Sequence, residues 1–150
     1  MHGEIHGDDG NDTIIGGKGS EEIFGDSGSD RLAGHGGRDI ISGGSDGNRF
    51  VLTSIGDSTV AISGRDQITD FAEGADVLDL HVLDANEDKG KNQKFDFIGT
   101  SKFHHEAGEL RFFIHSGQTT VAADTDGNGK ADLAIDFDGD IHFKAHDFML

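Results

Sequence analysis

The sequence predicts an all-β chain of two unlike halves: a parallel β-roll, that is a β-helix of nonapeptide repeats, packed against a C-terminal β-sandwich cap. Three observations carry that reading. Between Gly7 and Val51 the pattern G-G-x-G-x-D-x-U-x, with U a large apolar residue, recurs five times, starting at Gly7, Gly16, Gly25, Gly34 and Gly43. Residues 1–51 hold fourteen of the 24 glycines but only Phe24 and Phe50 of the eleven phenylalanines. Proline is absent, and no long helical period runs through either half.

Each repeat accounts for one turn and one short strand. The first six residues, rich in glycine, supply positive φ angles and bring bare backbone close to whatever fills the turn. The last three, such as Thr13-Ile14-Ile15 or Arg31-Leu32-Ala33, make a strand whose middle side chain points inward. The eighth positions are accordingly Ile14, Ile23, Leu32, Ile41 and Phe50, and Ile5 sits in the same register ahead of the first full copy. Two copies make one coil of eighteen residues, so five copies give a stub roughly 12 Å tall at ~4.8 Å per stacked strand. Such a stub cannot bury its own ends and needs a cap. Residues 1–51 are read as the roll and 52–150 as the cap.

In the second half, residues 50–52, 59–62, 77–80, 95–98, 110–114, 120–122 and 133–137 read as strands, with 141–143 as a final one. Turn signals separate them at Glu73-Gly74, Asp88-Lys89-Gly90, Ala107-Gly108 and Asp126-Gly127. Residues 67–72 read as a turn or two of helix.

Charge decides what must hold such a chain together. The formal net charge is -17, and Ile, Leu, Val and Phe make up only about a quarter of the 150 residues. That balance lies close to the disordered class, so something must neutralise the carboxylates before the chain compacts. It also argues against nucleic acid and anionic membranes, which need a positive face. There are no cysteines to form disulfides or a Cys-based zinc site. Structural metal is then the usual staple for a small secreted domain. No apolar run is long enough to span a membrane, and a monomer is expected. The N-terminus has no charged-then-apolar leader and reads as the second half of an interrupted repeat, so a C-terminal piece of a larger protein is expected.

The sixth positions of the repeats are Asp12, Glu21, Asp30, Asp39 and Asn48. A hard cation such as calcium takes six to eight oxygens at roughly 2.3–2.6 Å, which one nonapeptide turn cannot supply. Two turns stacked eighteen residues apart can, each offering backbone carbonyls and one carboxylate. Glycine and aspartate both favour turns, which would explain a single copy but not five with matched apolar positions. Two departures mark weaker sites. Glu21 adds a methylene, and the last copy has Asp46 where glycine is expected and Asn48 where aspartate is expected.

A second oxygen cluster, Asp124, Asp126, Asn128 and Asp132, follows the opening of the D-x-[DN]-x-[DN]-G calcium loop. Ile135 stands where that loop needs its final Glu, so an Asp/Gly-rich hairpin turn is the competing reading. His104-His105-Glu106-Ala107-Gly108 begins like H-E-x-x-H, but Glu109 occupies the second His position. The other histidines have no ligand spacing, although His35 and Gly37 are candidates to lend carbonyls to a capping site. No P-loop or dinucleotide fingerprint is present, and no catalytic site is expected.

The nonapeptides resemble those of RTX (repeat-in-toxin) calcium-binding β-roll proteins. The second half is similar to the C-terminal domain of serralysin-type secreted proteins. Arg65-Asp66-Gln67-Ile68-Thr69-Asp70-Phe71, Gly74-Ala75-Asp76 and Val77-Leu78-Asp79-Leu80 follow its D-x-I-x-D-F-x-x-G-x-D-x-I-D-L pattern. Phe95-Asp96-Phe97-Ile98-Gly99 and the terminal Asp147-Phe148-Met149-Leu150 continue the match.

The resemblance implies several calcium ions between roll turns. By the family's ligand pattern, one site takes Asp8, Gly10 and Asp12 with Gly25, Ser27 and Asp30. A second takes Gly17, Gly19 and Glu21 with Gly34, Gly36 and Asp39. A third takes Asp26, Gly28 and Asp30 with Gly43, Ser45 and Asn48. Asp66 and Asp76, and Asp70 after them, are implied to close the last site where roll meets cap.

The resemblance also implies an extracellular, non-catalytic module that folds on calcium and directs export through type I secretion machinery by an uncleaved C-terminal signal. The alternative is a module that grips polysaccharide or a cell surface for a secreted glycan-active enzyme or adhesin. The absence of Trp and Tyr and the negative charge weigh against the alternative.

Overall fold

A computed structural model describes residues 2–86 and 93–150, and over them the chain is all-β apart from three single 3₁₀ turns. The expected turn at Asp88-Lys89-Gly90 lies outside the described residues. The strands are β1 (His2–His6), β2 (Thr13–Ile15), β3 (Ser20–Phe24), β4 (Arg31–Ala33), β5 (Ile40–Ser42), β6 (Arg49–Val51), β7 (Gln67–Ile68), β8 (Val77–Asp79), β9 (Asp96–Phe97), β10 (Glu109–His115), β11 (Gln118–Asp124), β12 (Leu133–Asp138) and β13 (Phe148–Met149). Among the described residues no helix is long and apolar enough to cross a membrane.

Successive strands of the roll alternate between two sheets, because each nine-residue unit carries the chain half-way round a coil. One sheet runs β1-β3-β5-β7-β12-β11-β10-β9 and the other β13-β8-β6-β4-β2. Within the roll all pairings are parallel, and the inward positions stack in straight ladders. Ile5, Ile23, Ile41 and Ile68 form one. Ile14, Leu32, Phe50, Leu78 and Phe148 form the other. Ile23, Leu32, Ile68 and Leu78 are fully buried, so the repeat's apolar eighth position is the core of the roll.

The parallel stack does not end with the repeats. β7 pairs β5 and β8 pairs β6 in the same geometry, although their sequences lack the nonapeptide form. The antiparallel meander β10-β11-β12 then joins the first sheet through the parallel pair β12–β7. Roll and cap therefore share a continuous sheet and one core. Phe71 lies at their junction, with ring centroids 6.0 Å from Phe50, 5.3 Å from Phe137 and 5.2 Å from Phe143.

Three local readings of the second half are corrected. Residues 67–72 do not start a helix. Gln67 donates its amide to Asp39 O and Thr69 donates to Ile41 O, so the open edge of β5 captures this segment as a strand. Residues 59–62 are not a strand: Thr59 N bonds Gly64 O, a 3₁₀ turn follows at Ile62–Gly64, and Val60 and Ile62 are exposed. Residues 141–143 bury Ile141 and Phe143 without joining a sheet. The C-terminal strand β13 was not anticipated.

Candidate calcium ladder

The sixth position of each repeat recurs at the same height in every coil, and its carboxylate bonds upward to the chain it is stacked on. Asp30 Oδ1 accepts the amide of Asp12 at 2.8 Å, Asn48 Oδ1 that of Asp30 at 2.9 Å, and Asp76 Oδ1 that of Asn48 at 2.7 Å. On the opposite edge Asp39 Oδ1 accepts the amide of Glu21 at 2.9 Å, and Asp66 Oδ1 that of Asp39 at 2.8 Å. The rungs of Asp30, Asp39 and Asp66 each fix one carboxylate oxygen and leave the other over. Oδ2 of Asp12, Asp30, Asp39 and Asp66 is buried with no hydrogen-bond partner.

Backbone carbonyls converge on these orphan oxygens. The position a Cβ would take on Gly7 lies 2.7 Å from Gly25 O and 2.9 Å from Asp12 Oδ2. At Gly16 the corresponding oxygens are Gly34 O at 2.5 Å and Glu21 Oε2 at 3.1 Å. At Gly25 they are Gly43 O at 2.6 Å and Asp30 Oδ2 at 2.5 Å. Any side chain at these first positions would fill the cradle, which is why glycine stands there. An unpaired buried carboxylate is costly unless a cation or proton meets it. Carboxylate and carbonyl oxygens facing one another are the donor set of a hard divalent ion, so these residues fit calcium.

The remaining carbonyls of the expected ligand set lie along the same turns. Asp8 O, Gly17 O and Asp26 O each accept one amide from the next coil, from Ser27, Gly36 and Ser45 respectively, and Ser27 O accepts that of Gly10. A carbonyl has two lone pairs, so one remains on Gly17 O, Asp26 O and Ser27 O, while Ser27 Oγ also donates to Asp8 O at 3.4 Å. Gly10 O and Gly19 O lie against Gly28 and Gly37, both at positive φ, where a Cβ would approach to 1.9 and 2.1 Å.

The two departures from the repeat behave differently. Glu21 uses its extra length to reach Gly17 N with Oε2 at 3.2 Å, so its second oxygen is not orphaned. Asp46 keeps the left-handed backbone of the glycine it replaces, at φ 64. Asn48 closes its turn on itself: with Oδ1 committed to Asp30 N, its Nδ2 donates to Ser45 O at 3.4 Å and Asp46 O at 3.3 Å. A Cβ on Gly43 would meet that Nδ2 at 2.5 Å, the place Asp30 Oδ2 occupies beside Gly25. An N–H plug stands where the other turns hold an oxygen.

At the roll–cap junction the structure separates the three carboxylates that the resemblance grouped. Asp66 has an orphan oxygen, whereas Asp76 gives its second oxygen to Ala72 N at 2.8 Å. Asp70 is occupied by the amides of Gly43 and Gly44 and by Ser42 Oγ. Burial raises the Asp66 carboxyl to about 8, with repulsion from Asp39 and Asp57 adding to it. Burial likewise raises Asp39 to about 7, helped by the charges of Glu21 and Asp57. Asp57 sits beside them, its Oδ2 held by Thr53 N, Thr53 Oγ1 and Ser54 N and 3.7 Å from His35 Nδ1. The charge of Asp57 was not legible as part of the site. Nor was Asp79, whose orphan Oδ2 faces Arg49 Nε at 3.9 Å and so has a cation of its own.

The loop of Asp124, Asp126 and Asp132 brings three carboxylate oxygens within 4.8 Å of one another. The loop is also closed by its own bonds. Asp124 accepts the amides of Gly127 and Gly129, each at 2.8 Å, Asp132 accepts that of Thr125, and Asn128 Oδ1 accepts that of Lys130. His104 is an anchor: buried Glu109 holds its Nδ1 at 2.6 Å and its amide at 2.7 Å, and that hydrogen bond raises the imidazole above its ordinary value.

No curated protein matches the chain. Solved structures similar to it include two subunits of a mannuronan C5-epimerase from Azotobacter vinelandii. AlgE6R3 is 23% identical over 94% of this chain and 78% of its own, with a TM-score of 0.48. AlgE6R2 is 21% identical over 92% of this chain and 89% of its own, with a TM-score of 0.43. Residues 2–150 match the family model described as Peptidase M10 serralysin C terminal, and the chain belongs to that family.

Proposed function

We propose that this domain is a calcium-gated folding and export module. Serralysin C-terminal domains are non-catalytic modules of larger, secreted proteins. The single observation that carries the calcium reading is the row of buried carboxylate oxygens without partners at Asp12, Asp30, Asp39 and Asp66. Calcium bound between coils would neutralise them and supply folding free energy. Residues 1–51 are proposed to hold most of the ions, with Gly25, Gly34 and Gly43 giving the best-placed carbonyls. Asp66 is proposed to close the ladder from the cap. The loop of Asp124, Asp126, Asn128 and Asp132 is proposed as a separate, weaker site, because its carboxylates already accept backbone amides.

At low cytosolic calcium the carboxylates repel and the chain stays threadable; outside, ions fold it. The C-terminus supports this order of events. Asp147 is buried, accepting Lys144 N at 2.8 Å and Gly74 N at 3.4 Å, and Phe148 is buried in β13 against β8. A secretion machine would have to read those residues before the domain folds. Circular dichroism during a calcium titration tests the reading: β-structure should grow with calcium, and full β-structure in excess chelator would overturn it.

A further inference from the structure

The outward face of the cap meander carries a groove that runs against the charge of the whole chain. Two cross-strand rows form it: Arg111, Ala122 and Ala134 in one, and Phe113, Thr120 and Asp136 in the next. Small residues on the central strand β11 and its neighbour leave a low floor. Arg111, Phe113, Phe103, Arg65, Val60 and Lys130 line the groove around a volume of about 340 Å³. That is the lower end of the range of small-ligand sites, roughly 300–1,000 Å³.

Among the described residues neither Arg111 nor Lys130 has a carboxylate within ion-pair distance. Of the described Lys and Arg side chains only Arg49 and Arg65 do, so it is its immobilisation that sets Arg111 apart. Arg111 is held in place by other means. Its Nε donates to Ser101 O at 2.8 Å, and its guanidinium lies 4.8 Å from the Phe113 ring centre and 5.7 Å from that of Phe103. A half-buried cation fixed in position and lacking an anion is half of a binding pair.

We propose that this groove binds an acidic oligosaccharide. Carboxylate or sulfate groups meet Arg111 and Lys130, and the C–H face of a sugar ring packs on Phe103 and Phe113. An acidic peptide fits less well. The backbone of β11 is paired on both sides, so an incoming peptide gains no ladder hydrogen bonds from the floor. The site is independent of the calcium ladder, and its failure would leave that reading untouched.

The test uses the calcium-loaded chain at fixed free calcium. The probes are tetragalacturonate, a heparin tetrasaccharide, neutral cellotetraose and hexaglutamate, followed by calorimetry and by the Ala122 and Ala134 methyl signals. At least one acidic glycan should bind and shift those methyls, with cellotetraose and hexaglutamate silent. Arg111→Met and Lys130→Met should each weaken binding at least tenfold at unchanged calcium stoichiometry. Should Arg111→Met fail to fold, exposed Lys130→Met decides alone. Absence of binding by both acidic glycans, insensitivity to these variants, or equal binding of hexaglutamate would overturn the proposal.

Discussion

Asp66 Oδ1 accepts the amide of Asp39 at 2.8 Å across an interval of 27 residues, whereas the rungs within the repeats span 18. The cap thus continues the carboxylate ladder after the repeats have stopped, and leaves Asp66 Oδ2 buried and unpartnered at its end. Asp66→Asn keeps the amide acceptor and removes the orphan charge. With calcium present it should bind one ion fewer by native mass spectrometry and lose about 1–3 kcal/mol of stability. Without calcium the sign reverses, because the variant no longer buries a bare carboxylate, and it should retain more β-structure than the parent.

The opposite edge passes through Asn48 before it ends at Asp76, and the Asn48 side-chain amide plugs its turn through Ser45 O and Asp46 O. Asn48→Asp replaces that N–H donor with an oxygen beside Gly43. The variant should take up one additional calcium ion and melt higher than the parent at saturating calcium. In chelator it should be less stable, since a further unpaired carboxylate is then buried. An unchanged ion count would show that the turn of Asp76, with both carboxylate oxygens already on amides, lacks the remaining ligands.

These residues also show how far the sequence can be read. The inward ladders of Ile14, Leu32 and Phe50 follow from a fixed period and are seen as expected. The rungs at Asp66 and Asp76 break that period, to 27 and 28 residues, so spacing alone could not place them; only the resemblance named them. Gln67 and Ile68 have no strong strand pattern, and a waiting parallel edge decided their conformation. The groove draws Val60, Phe103, Arg111 and Lys130 from distant segments, and a net charge of -17 masks it.

Raised carboxyls tie folding to protons. Asp66 at about 8 and Asp39 at about 7 hold protons in the metal-free fold that the unfolded chain releases near 4. The stabilisation is therefore present at low pH and is lost as pH rises from about 4 through 7 to 8, at up to about 1.4 kcal/mol per pH unit for each proton. Calcium displaces the same protons. Calorimetry in buffers of different ionisation enthalpy should detect proton release on calcium binding at pH 5, where the metal-free chain is most folded and holds both protons, and little at pH 9. In calcium-free buffer, β-structure should be greater at pH 5 than at pH 8.

Backbone crowding between coils gives a sharper contrast. Gly28 has φ +121, and a Cβ there would lie 1.9 Å from Gly10 O. Gly74 also has positive φ, at +80, but nothing lies within 4 Å of its Cβ position. Gly74→Ala should cost only the left-handed backbone, about 1–2 kcal/mol. Gly28→Ala must in addition push two coils apart and should abolish calcium-induced folding by circular dichroism.

Phe71 joins what the sequence suggests are separate parts. Its ring touches Phe50 of the roll, Phe137 of the meander and Phe143 of the C-terminal segment, and it follows directly on Asp70, which pins Gly43 and Gly44. Phe71→Ala should cost about 3–5 kcal/mol through the cavity it leaves, lowering the melting temperature by roughly 10 °C or more. The loss should fall unevenly. Calcium shifts of the Gly43 amide, held by Asp70 next to Phe71, should need more calcium to saturate, while those of Asp12, two coils away, should titrate as in the parent. Equal weakening at both would mean that the ladder folds as one indivisible unit, and that the Phe cluster stabilises every rung through it.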